Sequence, residues 1–364
     1  MSKGPFLIGI LRGEGSSPEL IDATLLVLDA AAQRYGLHFD LETGGEIGCA
    51  SARLTGRYLT AEVINFCGQI FAANGAILAG AGGGRFVYDL RREFQLYYKL
   101  NPLRSYPELS AACKLKLPRE ALDLLLVREN LDGLYQGEPS ESATAEGRAV
   151  RHVFFQNENR IRAVLQVAAE WARARKNILS VVTKDSGLPA IHALWRDCAL
   201  DVASATGVDV SFLDVDYAVY KLVQQPESFD VIAAPNCFGD ILSDLGGVLA
   251  GSRGLTFGGS FSSGGATVFQ TNHGAAYDLA GSDTANPAGQ IFSLAMLLRE
   301  KFALCPAADA IERAVRHAWR AGWRTADLSD PGGKKAGTQR FARAVADEIL
   351  HAEAPVRETC SAAH

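Results

Sequence analysis

The sequence is short of several features that mark out whole classes of protein. Its 364 residues carry a formal net charge of only −5, so no excess of either sign draws it to nucleic acid or to an anionic membrane surface. No window supplies the roughly 20 consecutive apolar residues of a membrane span. Met1 to Ile10 lacks the basic stretch, long apolar run and small-residue cleavage site of a secretory signal. No nucleic-acid partner and no membrane partner are therefore expected. The seven cysteines, at positions 49, 67, 113, 198, 237, 305 and 360, are odd in number, scattered, and never spaced as CxxC, which argues against a disulfide framework or a cysteine-rich zinc site. They read as reduced thiols, and a cytoplasmic location follows. No low-complexity segment and no repeat of fixed period is present.

What is there describes an ordinary globular protein of about two domains, with 48% hydrophobic and 21% charged residues. Phe6 to Leu11 is an apolar run, followed by Gly13-Glu14-Gly15-Ser16-Ser17-Pro18 and then by Leu20, Ile21, Thr24, Leu25 and Leu28 at helical spacing. The pattern is strand, glycine loop, helix, with Ser17 as the expected N-cap. Strand and helix patterns keep alternating through Ala76 to Ala81, Leu122 to Val127, Arg160 to Arg175, Ile178 to Thr183, Asp230 to Ala234 and Ile241 to Ala250. That alternation is the α/β signature. The polar stretch Gln136 to Ala149 interrupts it and reads as a protruding arm, and the Gly/Ser-rich stretch Gly251 to Gly265 reads as a crossing between domains.

The densest chemical signal is Ala234-Pro235-Asn236-Cys237-Phe238-Gly239-Asp240-Ile241-Leu242-Ser243-Asp244. A buried strand ends there, and the following helix presents Asp240 and Asp244 on one face. Two carboxylates at that spacing repel unless a cation lies between them, and hard divalent ions such as Mg²⁺ or Mn²⁺ suit oxygen donors. Taken alone, the pair reads more readily as acids complementing a helix N-terminus. Asp216 supplies a third carboxylate on the preceding helical segment, and Lys184 closes the strand Ile178 to Thr183, where α/β sheets carry functional groups. The segment Leu122 to Gly137 exits its strand through Arg128 and reaches Tyr135, while Arg91 lies upstream. Guanidinium groups suit bidentate carboxylate binding, and a phenol near cations can donate a proton.

Together these segments resemble the β-decarboxylating dehydrogenases, the isocitrate/3-isopropylmalate dehydrogenase family, in order from about Phe6 to Leu350. The resemblance rests on Gly13 to Glu19, Leu90-Arg91-Arg92, Val127-Arg128-Glu129-Asn130 through Tyr135, Lys184, Asn236 to Asp244, and His273-Gly274-Ala275-Ala276-Tyr277-Asp278 leading to Ala285-Asn286-Pro287. It implies an α/β fold in which two domains share a large mixed sheet. Residues 1–99 and 251–352 would form the large, cofactor-binding domain. Residues 100–250 would form the small domain for dimerisation, metal and catalysis, with an arm at about 134–157, leaving a tail at 353–364.

The resemblance also implies a homodimer with shared active sites and a small-molecule hydroxy-acid substrate. The activity implied is NAD-dependent oxidative decarboxylation of a 3-substituted malate to a 2-keto acid. By that resemblance Asp216, Asp240 and Asp244 hold Mg²⁺ or Mn²⁺, Lys184 takes the hydroxyl proton, Tyr135 protonates carbon, and Arg91 and Arg128 anchor carboxylates. His273, Gly274, Ala276, Asp278 and Asn286 would hold NAD. Asp278 stands at the position that accepts ribose hydroxyls in NAD enzymes, where a 2′-phosphate would be repelled. One departure is clear: Leu100-Asn101-Pro102 stands where the family usually reads Leu-Arg-Pro, so a substrate-binding arginine is an amide, with Lys99 or Arg104 as the candidate substitute. Val87 and Tyr88 fall near the residues that read the substrate's γ-substituent. An altered substrate is therefore expected. The alternatives are a tartrate- or D-malate-type dehydrogenase and a non-catalytic regulatory homologue.

Overall fold

The computed structural model describes residues 5–113 and 122–351. The expected tail at 353–364 lies outside the described residues. The chain opens with β1 (Phe6–Leu11) and turns through Gly13 and Gly15, both at positive φ, into α1 (Ser17–Tyr35). Gly15 is required there, because a Cβ would lie 2.1 Å from the carbonyl oxygen of Ala275. The N-cap is Ser16 rather than the expected Ser17. The hydroxyl of Ser17 is engaged elsewhere, accepting from the Ala81 N–H at 3.0 Å.

Then come β2 (Phe39–Thr43), α2 (Gly48–Thr55), α3 (Ala61–Ala72), β3 (Ala76–Ala79), α4 (Phe86–Glu93), β4 (Tyr98–Arg104) and β5 (Asp123–Glu129). The polar arm is a two-stranded antiparallel hairpin, β6 (Glu138–Thr144) and β7 (Gly147–Val153), exposed along its whole length. Next are α5 (Glu158–Ala174), β8 (Ile178–Thr183), α6 (Pro189–Thr206), β9 (Asp209–Asp214), α7 (Val215–Gln224), β10 (Val231–Ala234) and α8 (Asn236–Ala250). The chain closes with β11 (Phe257–Phe261), β12 (Thr267–Thr271), α9 (Ala288–Glu300), α10 (Cys305–Arg320) and α11 (Thr338–His351).

A ten-stranded mixed sheet runs β2-β1-β3-β12-β11-β4-β5-β10-β8-β9. Its two ends, β2-β1-β3-β12 and β5-β10-β8-β9, are each parallel. Antiparallel pairings of β12 with β11, β11 with β4 and β4 with β5 join them. The two parallel wings therefore run in opposite senses, and the strands that join them are the glycine-rich β11 and the departing β4. Parallel wings covered by helices on both faces need apolar strands, and Leu124 to Val127, Val231 to Ala234 and Ala76 to Ala79 are all buried. One large apolar cluster, with Trp195, Phe269, Phe292 and Trp319 inside it, spans both wings, and a smaller one lies under α3 and α4.

No described helix is long and apolar enough to cross a membrane. Cys49, Cys67, Cys198 and Cys237 are free thiols, and burial pushes the Cys67 thiol up to about 12. Cys305 is disulfide-bonded, so the expectation of reduced thiols throughout is corrected at that residue.

Candidate active site

The end of β5 and the start of α8 bring the first group of side chains together. Arg128 is buried at the end of β5, and its Nε and Nη2 donate to Asn236 Oδ1 at 3.1 and 2.8 Å while Nη1 bonds to Asp240. Tyr135, in the turn beyond β5, donates its hydroxyl to the other oxygen of Asp240 at 3.2 Å. Burial opposes charge on Asp240, yet Arg128, Lys99 and Arg91 outweigh it and hold the carboxyl below its usual range. The Tyr135 phenol is pushed upward by burial and by hydrogen bonds to Cys237 and Asp240, so it is a proton donor rather than a phenolate.

Arg91 faces this group from α4 and is 3% exposed, with Nε and Nη1 buried and unpartnered among the described residues. Burial and the neighbouring Arg128 lower its guanidinium well below its ordinary value, to about 9. Buried N–H groups without an acceptor are costly, so this is a place prepared for an anion. Tyr88 bridges the two groups: its ring lies 5.4 Å from that of Tyr135 and 5.6 Å from the Arg91 guanidinium carbon. Val87 packs instead against the smaller apolar cluster. Asn101 is fully buried in β4, donating to Phe257 O at 3.2 Å and to Asn272 Oδ1 at 2.9 Å.

A second group forms at the ends of β8 and β9, which pair in parallel with Thr183 opposite Asp214. Lys184 Nζ donates to Asp214 Oδ2 at 2.9 Å and to Asp216 Oδ1 at 2.7 Å. Those two bonds raise the lysine above its ordinary value and hold both acids below theirs. Asp214 was not singled out in the sequence. It also accepts from the Asp185 N–H and the Ser186 hydroxyl, and the acid-x-acid pair Asp214-Val215-Asp216 was its only signal.

Asp216 is thus engaged with Lys184, whereas Asp240 is paired with Arg128 and Asp244 with Arg253 at 3.0 Å. Among the described residues no three acids, histidines or cysteines of one chain are grouped to hold a metal. Within a single chain the three carboxylates are not brought together. Asp240 and Asp244 lie one helical turn apart with half-exposed carboxylates, an oxygen-only donor pair that fits a hard divalent cation.

The third group lines a cavity of about 650 Å³ and includes Ser16, Arg253, His273, Gly274, Ala276, Asp278, Asn286 and Asp327. All five residues expected to bind the cofactor therefore share one cavity. Ala276 adopts the left-handed conformation that starts the turn carrying Asp278. Asn286 donates to Asp327 Oδ2 at 3.0 Å and accepts from the Ala288 N–H at the start of α9. Burial holds the His273 imidazole below its usual range. Arg253 links this cavity to Asp244. A cavity of this size, with the carboxylate of Asp278 and the guanidinium of Arg253 on its wall, is in the ordinary range of small-molecule and cofactor sites.

Comparison with known proteins places these features in context. The family described as isocitrate/isopropylmalate dehydrogenase matches residues 7–345. A 3-isopropylmalate dehydrogenase of Nitratidesulfovibrio vulgaris is 36% identical, covering 94% of this chain and 99% of its own. One from Geobacillus kaustophilus is 34% identical, covering 95% and 96%. The crystal structure of isocitrate dehydrogenase from Methylococcus capsulatus is 28% identical with a TM-score of 0.84, covering 95% of this chain and all of that one.

Proposed function

The chain belongs to the isocitrate/isopropylmalate dehydrogenase family, and from that premise we propose that it is an NAD- and divalent-metal-dependent enzyme that oxidatively decarboxylates a 3-substituted malate to a 2-keto acid. The observation that carries this reading is the buried Arg91, two of whose nitrogens lack acceptors among the described residues, beside Arg128, Asp240 and Tyr135. A hydroxy diacid supplies the missing acceptors as carboxylate oxygens.

When bound, a Mg²⁺ or Mn²⁺ ion supplies Lewis acidity at substrate oxygens, and NAD supplies the hydride acceptor. Asp240 and Asp244, with Asp216 of a second copy of the chain, would hold the ion, and the 650 Å³ cavity would hold NAD. Arg91 and Arg128 orient the carboxylates. Lys184 of the second copy accepts the proton of the 2-hydroxyl, which requires that it first lose a proton to solvent and so part from Asp214 or Asp216, the two acids that favour its ammonium form. Tyr135, held protonated, delivers a proton to the carbon that loses its carboxylate. Tyr88, edge-on to Tyr135, borders the space for the substituent on that carbon.

A homodimer is part of the proposal because one chain leaves the acids apart and exposes the surfaces that would join them. Tyr217, Tyr220 and Val223 on α7, Ile241 and Val248 on α8, and Val150, Val153 and Phe155 of the arm are all exposed. That many large apolar side chains on neighbouring elements mark an interface. The two wings of the sheet correspond in this reading to a cofactor-binding domain, 1–99 with 251–352, and a dimerisation domain, 100–250. A cytoplasmic location is proposed from the free thiols, with the Cys305 disulfide against it.

The test is a panel of 3-isopropylmalate, other 3-substituted malates, isocitrate, tartrate and D-malate, assayed for Mn²⁺-dependent NADH formation. Turnover of a 3-substituted malate is the expected result. Turnover of tartrate or D-malate alone would move the reading to that class, and no turnover would favour a regulatory homologue.

A further inference from the structure

Asn101 cannot replace the arginine that the family carries at its position, because its amide nitrogen is spent inside the protein on Phe257 and Asn272, and its remaining oxygen is an acceptor that does not bind a carboxylate. Of the two nearby cations, Arg104 lies at the far end of β4 against Asp123 and Glu312, at 3.5 and 3.8 Å. Lys99 is different. It lies two residues before Asn101 on the same face of β4, opposite Arg128 across the strand pair, and is 3% exposed.

Its Nζ donates to Asn272 Oδ1 at 2.6 Å, the same oxygen that Asn101 uses. An ammonium has three donors, and this neutral amide is its one hydrogen-bond acceptor among the described residues. Among the described residues no carboxylate lies within ion-pair distance; the nearby Asp240 and Asp244 pair with Arg128 and Arg253. Burial above all, then Arg91 and Arg128, lower its ammonium well below the ordinary lysine value, and Asp240 and Asp244 oppose them; these four are the proposed substrate and metal residues. A buried cation that meets two like charges at close quarters and no ion-pair partner is costly unless an anion completes it.

We propose that Lys99 is a third cationic substrate-binding residue, positioned by Asn101 and Asn272, which holds a substrate carboxylate in place of the arginine absent from position 101. The inference rests on the hydroxy-diacid reading above. It adds that a compact point charge has replaced a bidentate fork, with the former arginine site filled by an internal amide pair.

Two variants test it. K99Q keeps a donor toward Asn272 and removes the charge, while K99R keeps the charge but moves it off the ammonium position. Binding of 3-isopropylmalate and D-malate with Mn²⁺ is measured by titration calorimetry, and KM and kcat by NADH formation. K99Q is expected to weaken binding and raise the hydroxy-acid KM at least about tenfold, with the KM for NAD within about twofold. K99R is expected to fall between, at about threefold or more. A folded variant of either kind whose hydroxy-acid affinity stays within about twofold of wild type overturns the proposal, so the loss of one variant to misfolding leaves the other decisive. Should wild type turn over no hydroxy acid, the proposed function fails, while calorimetry with the same diacids still reads Lys99.

Discussion

Glu129, beside Arg128 at the end of β5, is fully buried, and its stability cost can be worked out from its surroundings. One oxygen accepts from the Leu131 and Asp132 N–H groups at 2.5 and 2.9 Å, and the other has no partner among the described residues. Burial dominates, and the carboxyl is raised from 4.5 to about 7 despite those two bonds. A carboxyl whose folded value lies above its unfolded one contributes stability that is fully present below about pH 4.5 and is lost as pH rises through about 7. The difference between 4.5 and about 7 corresponds to about 3 kcal/mol.

Glu129→Gln keeps the acceptor oxygen and cannot ionise. The variant should match wild type near pH 4.5 and exceed it by about 3 kcal/mol at pH 8. At about 2.1 cal/mol/K per residue, that amounts to a rise of roughly 4 °C in Tm for a chain of this length. Thermal unfolding of both proteins at equal concentration, from pH 4.5 to 8.5, checks it. Because other carboxyls titrate alike in both, the difference between the curves isolates Glu129. A difference that stays flat between pH 5 and 8 would refute the reasoning.

Tyr135→Phe should lower kcat on the order of a hundredfold while leaving the hydroxy-acid KM nearly unchanged, because the phenol is held protonated to serve as an acid; steady-state NADH formation decides this. Asp278→Lys should cut kcat/KM for NAD by roughly tenfold or more and raise that for NADP, since a hydrogen bond to a charged group is worth about 1.5–3 kcal/mol. The ratio of the two specificity constants is the readout. Asp214→Asn removes one of two acids that hold Lys184 above its ordinary value. The limb of the pH–rate profile set by that lysine should therefore move to lower pH, and an unmoved limb would separate Lys184 from the base. Ile241→Asp places a charge on the exposed apolar stripe of α8. It should yield monomers by sedimentation and abolish turnover, with the circular dichroism of the folded chain retained.

How far the sequence could be read depended on the range of each signal. Asp240 and Asp244 were legible because a spacing of four on one helix is a local fact, and Arg128 and Tyr135 because one ends a strand and the other lies just beyond it. Ser17 was misassigned as an N-cap because its hydroxyl is taken by Ala81, 64 residues away. Asp214 was passed over because its role depends on the parallel register that sets β9 beside β8 and so beside Lys184. The largest gap was at β4. From sequence, Lys99 and Arg104 were equal substitutes for the arginine that Asn101 displaces. They separate only because β4 pairs with β5 and β11, so that one end of the strand meets Arg128 and Asn272 while the other meets Asp123 and Glu312. On the proposal above, a change of residue type that looks like simple loss along the chain is, in three dimensions, a cation moved two residues along a strand. If Lys99 holds a substrate carboxylate as proposed, that role depends on contacts between segments 171 residues apart, where no pattern within one segment records it.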